Sequence, residues 1–234
     1  MVERRRFWMA EEDEASRRRY SLDRILAISD GVFAFAVTLL VLDLFVPVLS
    51  SGATSVDLGQ ALSKESLSFV SYLLSFFIAG VWWNAHNRNF GFLRDADSKL
   101  RWLNLLFLLW IALLPFFTKI LNQYANLQLA VVLYAFDQAG AGFFMTLSWW
   151  YSSRNHRLVD RTLEDRTIRY ITLRNAVAPL SFIVSMGLSF FGALVAFISW
   201  FAMVPALMLI HRLERTTESK QTDTQTNEQT DRQE

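Results

Sequence analysis

The chain has 234 residues, is 53% hydrophobic and carries 20 Phe and 8 Trp, a composition too apolar for a soluble domain of this length. It contains no cysteine, which excludes disulfides, thiolate metal sites and a cysteine nucleophile. The formal net charge of +1 identifies no partner, and nucleic acid is not expected as one, so the informative quantity is where the charges sit.

In chain order, residues 1–23 form a charged N-terminal segment in which "EEDEASRRRY" switches from acid to base just before the first apolar run. It reads as a solvated stretch beside anionic headgroups. The apolar run that follows is longer than a signal peptide's and lacks a small-x-small cleavage site, so no secretory signal is expected. A helix needs about 20 apolar residues to cross the hydrocarbon. Six stretches meet or approach this: Ile25 to Val48, Leu67 to Trp83, Leu100 to Ile120, Leu127 to Tyr151, Ile168 to Phe190 and Ala193 to His211. Only "FFGAL" separates the last two, and Gly192 supplies the tight turn of a helical hairpin. The sequence thus predicts an all-helical membrane domain over 24–212 with six spans, followed by a polar, disordered tail over 213–234. With a cytoplasmic N-terminus, 21 of the 23 Lys and Arg fall on the cytoplasmic side and only Lys64 and Lys119 fall outside. This asymmetry predicts a multi-pass protein of the cell membrane with both termini in the cytoplasm.

No catalytic pattern is present: there is no Gly-rich phosphate loop, no His-Glu-x-x-His and no Gly-x-Ser-x-Gly elbow. His86, His156 and His211 lie at ends of different spans without carboxylates at metal-ligand spacing. Neither an enzyme, nor a cofactor, nor a resident metal is expected.

The first span, "RILAISDGVFAFAVTLLVLDL", carries the candidate functional residues. At about 100° per residue, Arg24, Ile28, Gly31, Phe35, Leu39 and Leu42 share one strip with Thr38 at its edge, and Asp30 lies nearly opposite. Either the strip faces lipid and Arg24 snorkels to the surface, or the strip lines something. Asp30 sits about 9 Å above Arg24 along the axis. A carboxylate there is costly in lipid, so it is expected to face other helices and accept hydrogen bonds. Donors at the same depth are Asn84, His86, Asn104 and the Arg174-Asn175 pair. The cluster either staples helices together or, since His86 titrates near neutrality in the ordinary case, relays protons. Asp137 in "LYAFDQAGAGFF" reads as an interhelical hydrogen-bond acceptor rather than a substrate site, with Gly140 and Gly142 allowing close helix approach. Asp43, near the far end of the first span, either attracts cations to a mouth or caps the helix. The pairs Trp82-Trp83 and Trp149-Trp150 read as interfacial anchors.

Arg24-x-x-x-Ile28-Ser29-Asp30 resembles the Arg-x-x-x-Phe-Ser-Asp signature that opens the first helix of the endosomal and lysosomal potassium channels, the transmembrane protein 175 family. "DGVFAFAVTLLVLDL" continues the prokaryotic version, and the similarity extends through Trp82, Trp83 and His86 to "LNLLFLLWIALLPF", about the first half of the chain. The resemblance implies a homotetramer whose first helices line a central pore permeable to potassium, without the Thr-Val-Gly-Tyr-Gly filter of ordinary potassium channels. Mapped by residue, it implies an apolar constriction at Phe35 with Leu39 and Leu42 above it, and an ion-selectivity role for Thr38. It also implies a structural polar network of Arg24, Ser29, Asp30, His86 and Asn104. Two positions depart from the pattern: Ile28 replaces the aromatic of the motif, and Phe35 stands where Ile or Leu is usual. The expectation is a leak-type potassium-selective channel in membrane lipid, with potassium as permeant ion and the chain itself as partner. The alternative is a proton-coupled secondary cation transporter using Asp30, His86 and Asp137, although the broken helices and internal repeats typical of such transporters are not evident.

Overall fold

The computed structural model describes residues 2–44 and 46–201, with side chains from Tyr20 onward apart from those of Leu67 and Phe201. Among these residues the regular structure is helical. Helix α1 (Val2–Val41) runs without a break through position 24, so the compositional boundary at 23/24 marks a change of surroundings rather than of backbone. A loop leads to the short helix α2 (Ser55–Lys64), which a search for apolar runs passes over. Its start is fixed by a capping box, Thr54 Oγ1 accepting from Asp57 N and Asp57 Oδ2 accepting from Thr54 N. Then follow α3 (Ser66–Gly91), α4 (Ser98–Gln123), α5 (Gln128–Ser153), α6 (Asp165–Leu188) and α7 (Ala193–Phe201).

Among the described residues, five segments are long and apolar enough to cross a membrane: Tyr20–Val41, Ser68–Gly91, Ser98–Gln123, Gln128–His156 and Asp165–Phe191. The second span ends later than hydropathy indicates. Polar residues after Trp83 close the apolar window without closing the helix, because His86 and Asn89 are buried against neighbours. Trp82-Trp83 is therefore well inside α3 rather than at its end, which corrects the reading of that pair as an interfacial anchor. The turn into α7 is made by Gly192 at φ 127°, a backbone region that favours glycine, as the hairpin reading requires. α7 supplies the start of the sixth span; residues 202–211 of it, and the tail 213–234, lie outside the described residues.

The bundle is centred on α5, which packs against α4 on one side and α6 on the other, while α1 packs against α3 and α4. Glycines set the closeness at α5. A Cβ on Gly140 would lie 2.5 Å from the Trp110 ring of α4, and one on Gly142 would lie 2.6 Å from the Pro179 ring of α6. Pro179 has no N–H, which frees the carbonyl of Asn175 one turn earlier. Thr146 Oγ1 lies 3.0 Å from that oxygen and 2.7 Å from Gly142 O of its own helix, so its single proton is shared and α5 returns to α6 only part of the hydrogen bond that its proline removed.

Candidate ion path along the first helix

Two opposite faces of α1 have different surroundings. Leu22, Ile25, Ser29, Phe33, Ala36 and Leu40, spaced at three and four residues, are buried against α3 and α4. On the other side Arg24, Ile28, Gly31 and Thr38 are exposed, with Phe35 at 65% and Leu42 at 74%, while Leu39 is half-buried at the margin. The chain thus leaves uncovered the strip on which the sequence places Phe35, Thr38 and Leu42. Thr38 Oγ1 donates to Phe35 O at 2.8 Å. Its proton is thereby committed to the backbone, and the oxygen offers lone pairs alone to anything that approaches the strip.

The packed face is tied by a directed chain of hydrogen bonds. Ser29 Oγ donates to Ile25 O at 2.8 Å, so it accepts from Asn104 Nδ2 at 3.1 Å. Asn104 Oδ1 then accepts from His86 Nε2 at 2.8 Å, which places the imidazole proton on Nε2. The three side chains are buried, and the His86 ring is stacked between Phe90 and Phe107, at centroid distances of 4.3 and 5.5 Å. Helices α3, α4 and α1 are joined in that order by this relay of donors. His86 Nδ1 has no hydrogen-bond partner among the described residues, and the residue lines a void of about 20 Å³, room for one water, together with Asn89, Ser148 and Ser152.

Two members assigned to the network by resemblance stand outside it. Asp30 is exposed in the single chain and not buried among His86, Asn104 or Asn175; Oδ1 accepts from Trp83 Nε1 at 2.8 Å. The reason is helical geometry: one step of about 100° past Ser29 carries the side chain off the packed face onto its flank. The donor was missed because an indole near a hydropathy boundary reads as an anchor. Arg24 is exposed too, its guanidinium 5.9 Å from the Tyr20 ring centroid. At the opposite end of the helix Asp43 lies 3.3 Å from Lys119 of α4 and is largely covered. Asp43 thus links the end of α1 to α4.

Asp137 is fully buried, but its Oδ2 accepts from Gln138 Nε2 on its own helix, and Oδ1 has no partner among the described residues. The interhelical bond expected of Asp137 is made by its neighbour, Gln138 Oε1 accepting from Trp82 Nε1 at 2.8 Å. A further polar cluster joins α3, α4 and α5: Ser75 Oγ lies 2.9 Å from Thr118 Oγ1 and 3.1 Å from the Tyr134 hydroxyl. Small hydroxyls in apolar runs give little sequence signal, although Ser71 and Ser75, both buried, share one face of α3. No group of three or more His, Cys, Asp or Glu poised for a metal occurs among the described residues.

Comparison with known proteins gives this geometry a context. The family profile described as the endosomal/lysosomal potassium channel TMEM175 matches residues 24–115, from Arg24 to the proline inside α4. A potassium channel of Streptomyces collinus is 31% identical over 174 residues, covering 73% of this chain and 83% of its own length. A potassium channel of Chamaesiphon minutus is 31% identical over 170 residues, covering 71% of this chain and 83% of its own. The crystal structure of a lysosomal potassium-selective channel TMEM175 homolog from Chamaesiphon minutus superimposes with a TM-score of 0.69 at 26% identity, covering 81% of this chain and 97% of that one.

Proposed function

The chain belongs to the TMEM175 family, and from that premise we propose that it is a potassium-selective, leak-type ion channel formed by four copies around a shared axis. The observation that carries this reading is the uncovered strip of α1. A helix buried on one face and bare on the other in a membrane protein faces lipid, another chain or a pore. Here the bare face carries a threonine oxygen among bulky apolar groups, with an arginine at one end.

Four copies of the strip around one axis give a collar of Phe35 and Leu42, with Leu39 at its margin. The collar holds no polar group to replace an ion's water, so it resists passage by dewetting and conducts when the first helices splay or rotate. Thr38, one turn beyond Phe35, presents four oxygens toward the axis and is the candidate selectivity residue. Phe35 closes the path with rings, whose faces also attract a cation. Arg24 marks the cytoplasmic mouth. The Ser29–Asn104–His86 relay holds α1 against its own subunit, whereas Asp30, fixed by Trp83 on the exposed flank, is placed to meet the neighbouring copy. Both termini are in the cytoplasm, and the domain over 24–212 lies in the cell membrane between the charged segment 1–23 and the tail 213–234. Asp43, held by Lys119, is a structural residue of the outer end rather than a cation trap. A proton-coupled transporter reading lacks the broken helices such carriers use, since α3, α4 and α5 each run unbroken for 26 residues.

Reconstitution of the purified protein in a planar bilayer tests the reading. Unitary potassium currents are expected; a saturable flux that moves only with a proton gradient would exclude a channel.

A further inference from the structure

Helices α3 and α6 leave a groove between them, with Met145 of α5 in its lining and no residue of α1. A cavity of about 380 Å³ opens there, the size of a small-ligand site, and a second of about 350 Å³ continues it past Arg88 and Arg174 toward the end of α3 at Gly91. The deep part is apolar, walled by Ile78, Val81, Ala178 and Phe182. Where the two cavities meet, Arg88 and Arg174 line both, and neither lining contains a carboxylate.

Both guanidinium-bearing side chains belong to the end of the groove near the C-terminus of α3. Arg88 is three residues from the end of α3 and exposed, with no hydrogen bond or ion pair among the described residues. Arg174 begins about 14 Å into α6 by helical rise. Its guanidinium nonetheless lies 3.3 Å from Asn89 Oδ1, close to the end of α3, and 5.8 Å from the Tyr170 ring centroid. It has therefore snorkelled along the groove to the level of Arg88. Asn175 adds an independent observation. It lines the deep cavity and is 4% exposed, and its Nδ2 has no hydrogen-bond partner among the described residues. A buried amide donor without an acceptor is costly in a membrane interior.

We propose that this groove binds one anionic glycerophospholipid, its phosphate on Arg88 and Arg174, an ester carbonyl accepting from Asn175 Nδ2, and an acyl chain between Val81, Ala178 and Phe182. Each feature answers one part of such a molecule: a paired positive rim for the headgroup, a donor below it for the glycerol esters, an apolar slot for the chain. A zwitterionic lipid meets the same slot, but its own cation faces the arginines. A soluble phosphate meets the rim and leaves Asn175 and the slot unused. The site rests on the membrane-spanning fold and not on ion permeation, so its failure and that of the channel reading are separable.

Native mass spectrometry of the detergent-purified full chain tests it, with phosphatidylglycerol, phosphatidylcholine and glycerol phosphate as probes. Phosphatidylglycerol should be retained over phosphatidylcholine by about thirty-fold, the size that two arginine contacts at a membrane surface supply. Glycerol phosphate should not displace it. Arg88→Gln, at an exposed position, should remove most of the preference, and Ala178→Phe, which fills the slot and spares both charges, should abolish retention of the lipid. Equal retention of the two lipids, full retention in both variants, or displacement by glycerol phosphate would each overturn the proposal. So would a change of oligomer mass in Ala178→Phe with lipid retention unaltered, which would give the groove to a second copy.

Discussion

Asn104 of α4 is hydrogen-bonded to both α1 and α3, and Asn104→Leu removes both bonds while keeping the number and branching of the side-chain heavy atoms. Interhelical hydrogen bonds in membrane bundles contribute about 0.6 kcal/mol each. The His86 Nε2–H, sealed between Phe90 and Phe107, would then be left without its acceptor, which adds roughly 1–3 kcal/mol. The expected loss is therefore about 2–4 kcal/mol. Equilibrium unfolding in mixed micelles with a rising fraction of sodium dodecyl sulfate, followed by circular dichroism, measures it. Ser29→Ala should couple with Asn104→Leu by ~0.5 kcal/mol or more, because the two share a bond, whereas Asp30→Asn should add independently. A variant within ~0.5 kcal/mol of wild type, or coupling to Asp30 in place of Ser29, would refute the relay as described.

Two further outcomes follow from other parts of the fold. Phe35→Ala should raise unitary conductance or open probability in bilayer recordings, and unchanged currents would remove Phe35 from the constriction. Asp97 caps α4, outside the membrane-spanning segments. Burial raises its pKa, but acceptance from the Tyr151 hydroxyl and the Leu100 and Lys99 N–H groups, together with the nearby Arg157 charge, outweighs burial and holds the carboxyl below the usual range. A folded pKa below the unfolded value of about 4 means that its contribution is present above that pH and is lost as pH falls through the folded value. Asp97→Ala should therefore cost about 1 kcal/mol at neutral pH, a penalty that shrinks below about pH 4 in thermal melts; a gap that widens on acidification would contradict the assignment.

The sequence carried the first five spans and the two-faced character of α1, because both are written in large apolar groups. It also carried the Gly192 turn, where backbone geometry allows few residues. Partner choice was less legible. Ser29, Asn104 and His86 come together because α1, α3 and α4 pack at one particular rotation, and hydropathy does not encode rotation. Asp30 and Ser29 are adjacent in sequence, yet 100° apart on the helix, so one is sealed and the other exposed. Trp83 and Trp82 show the same limit: next to each other in the chain, one donates to Asp30 at the surface and the other to Gln138 in the core. The groove between α3 and α6 was invisible in the sequence because it is made by what those helices do not touch.

The central claim is that the bare face of α1 lines the ion path. The chain has no cysteine of its own, so Phe35→Cys, Thr38→Cys and Leu42→Cys each place a single reactive thiol on that face, and Ala36→Cys places one on the packed face. Potassium currents in planar bilayers, recorded before and after a charged methanethiosulfonate reagent, should fall at positions 35, 38 and 42 and persist in Ala36→Cys. Currents that survive the reagent at all three bare positions would place the path elsewhere.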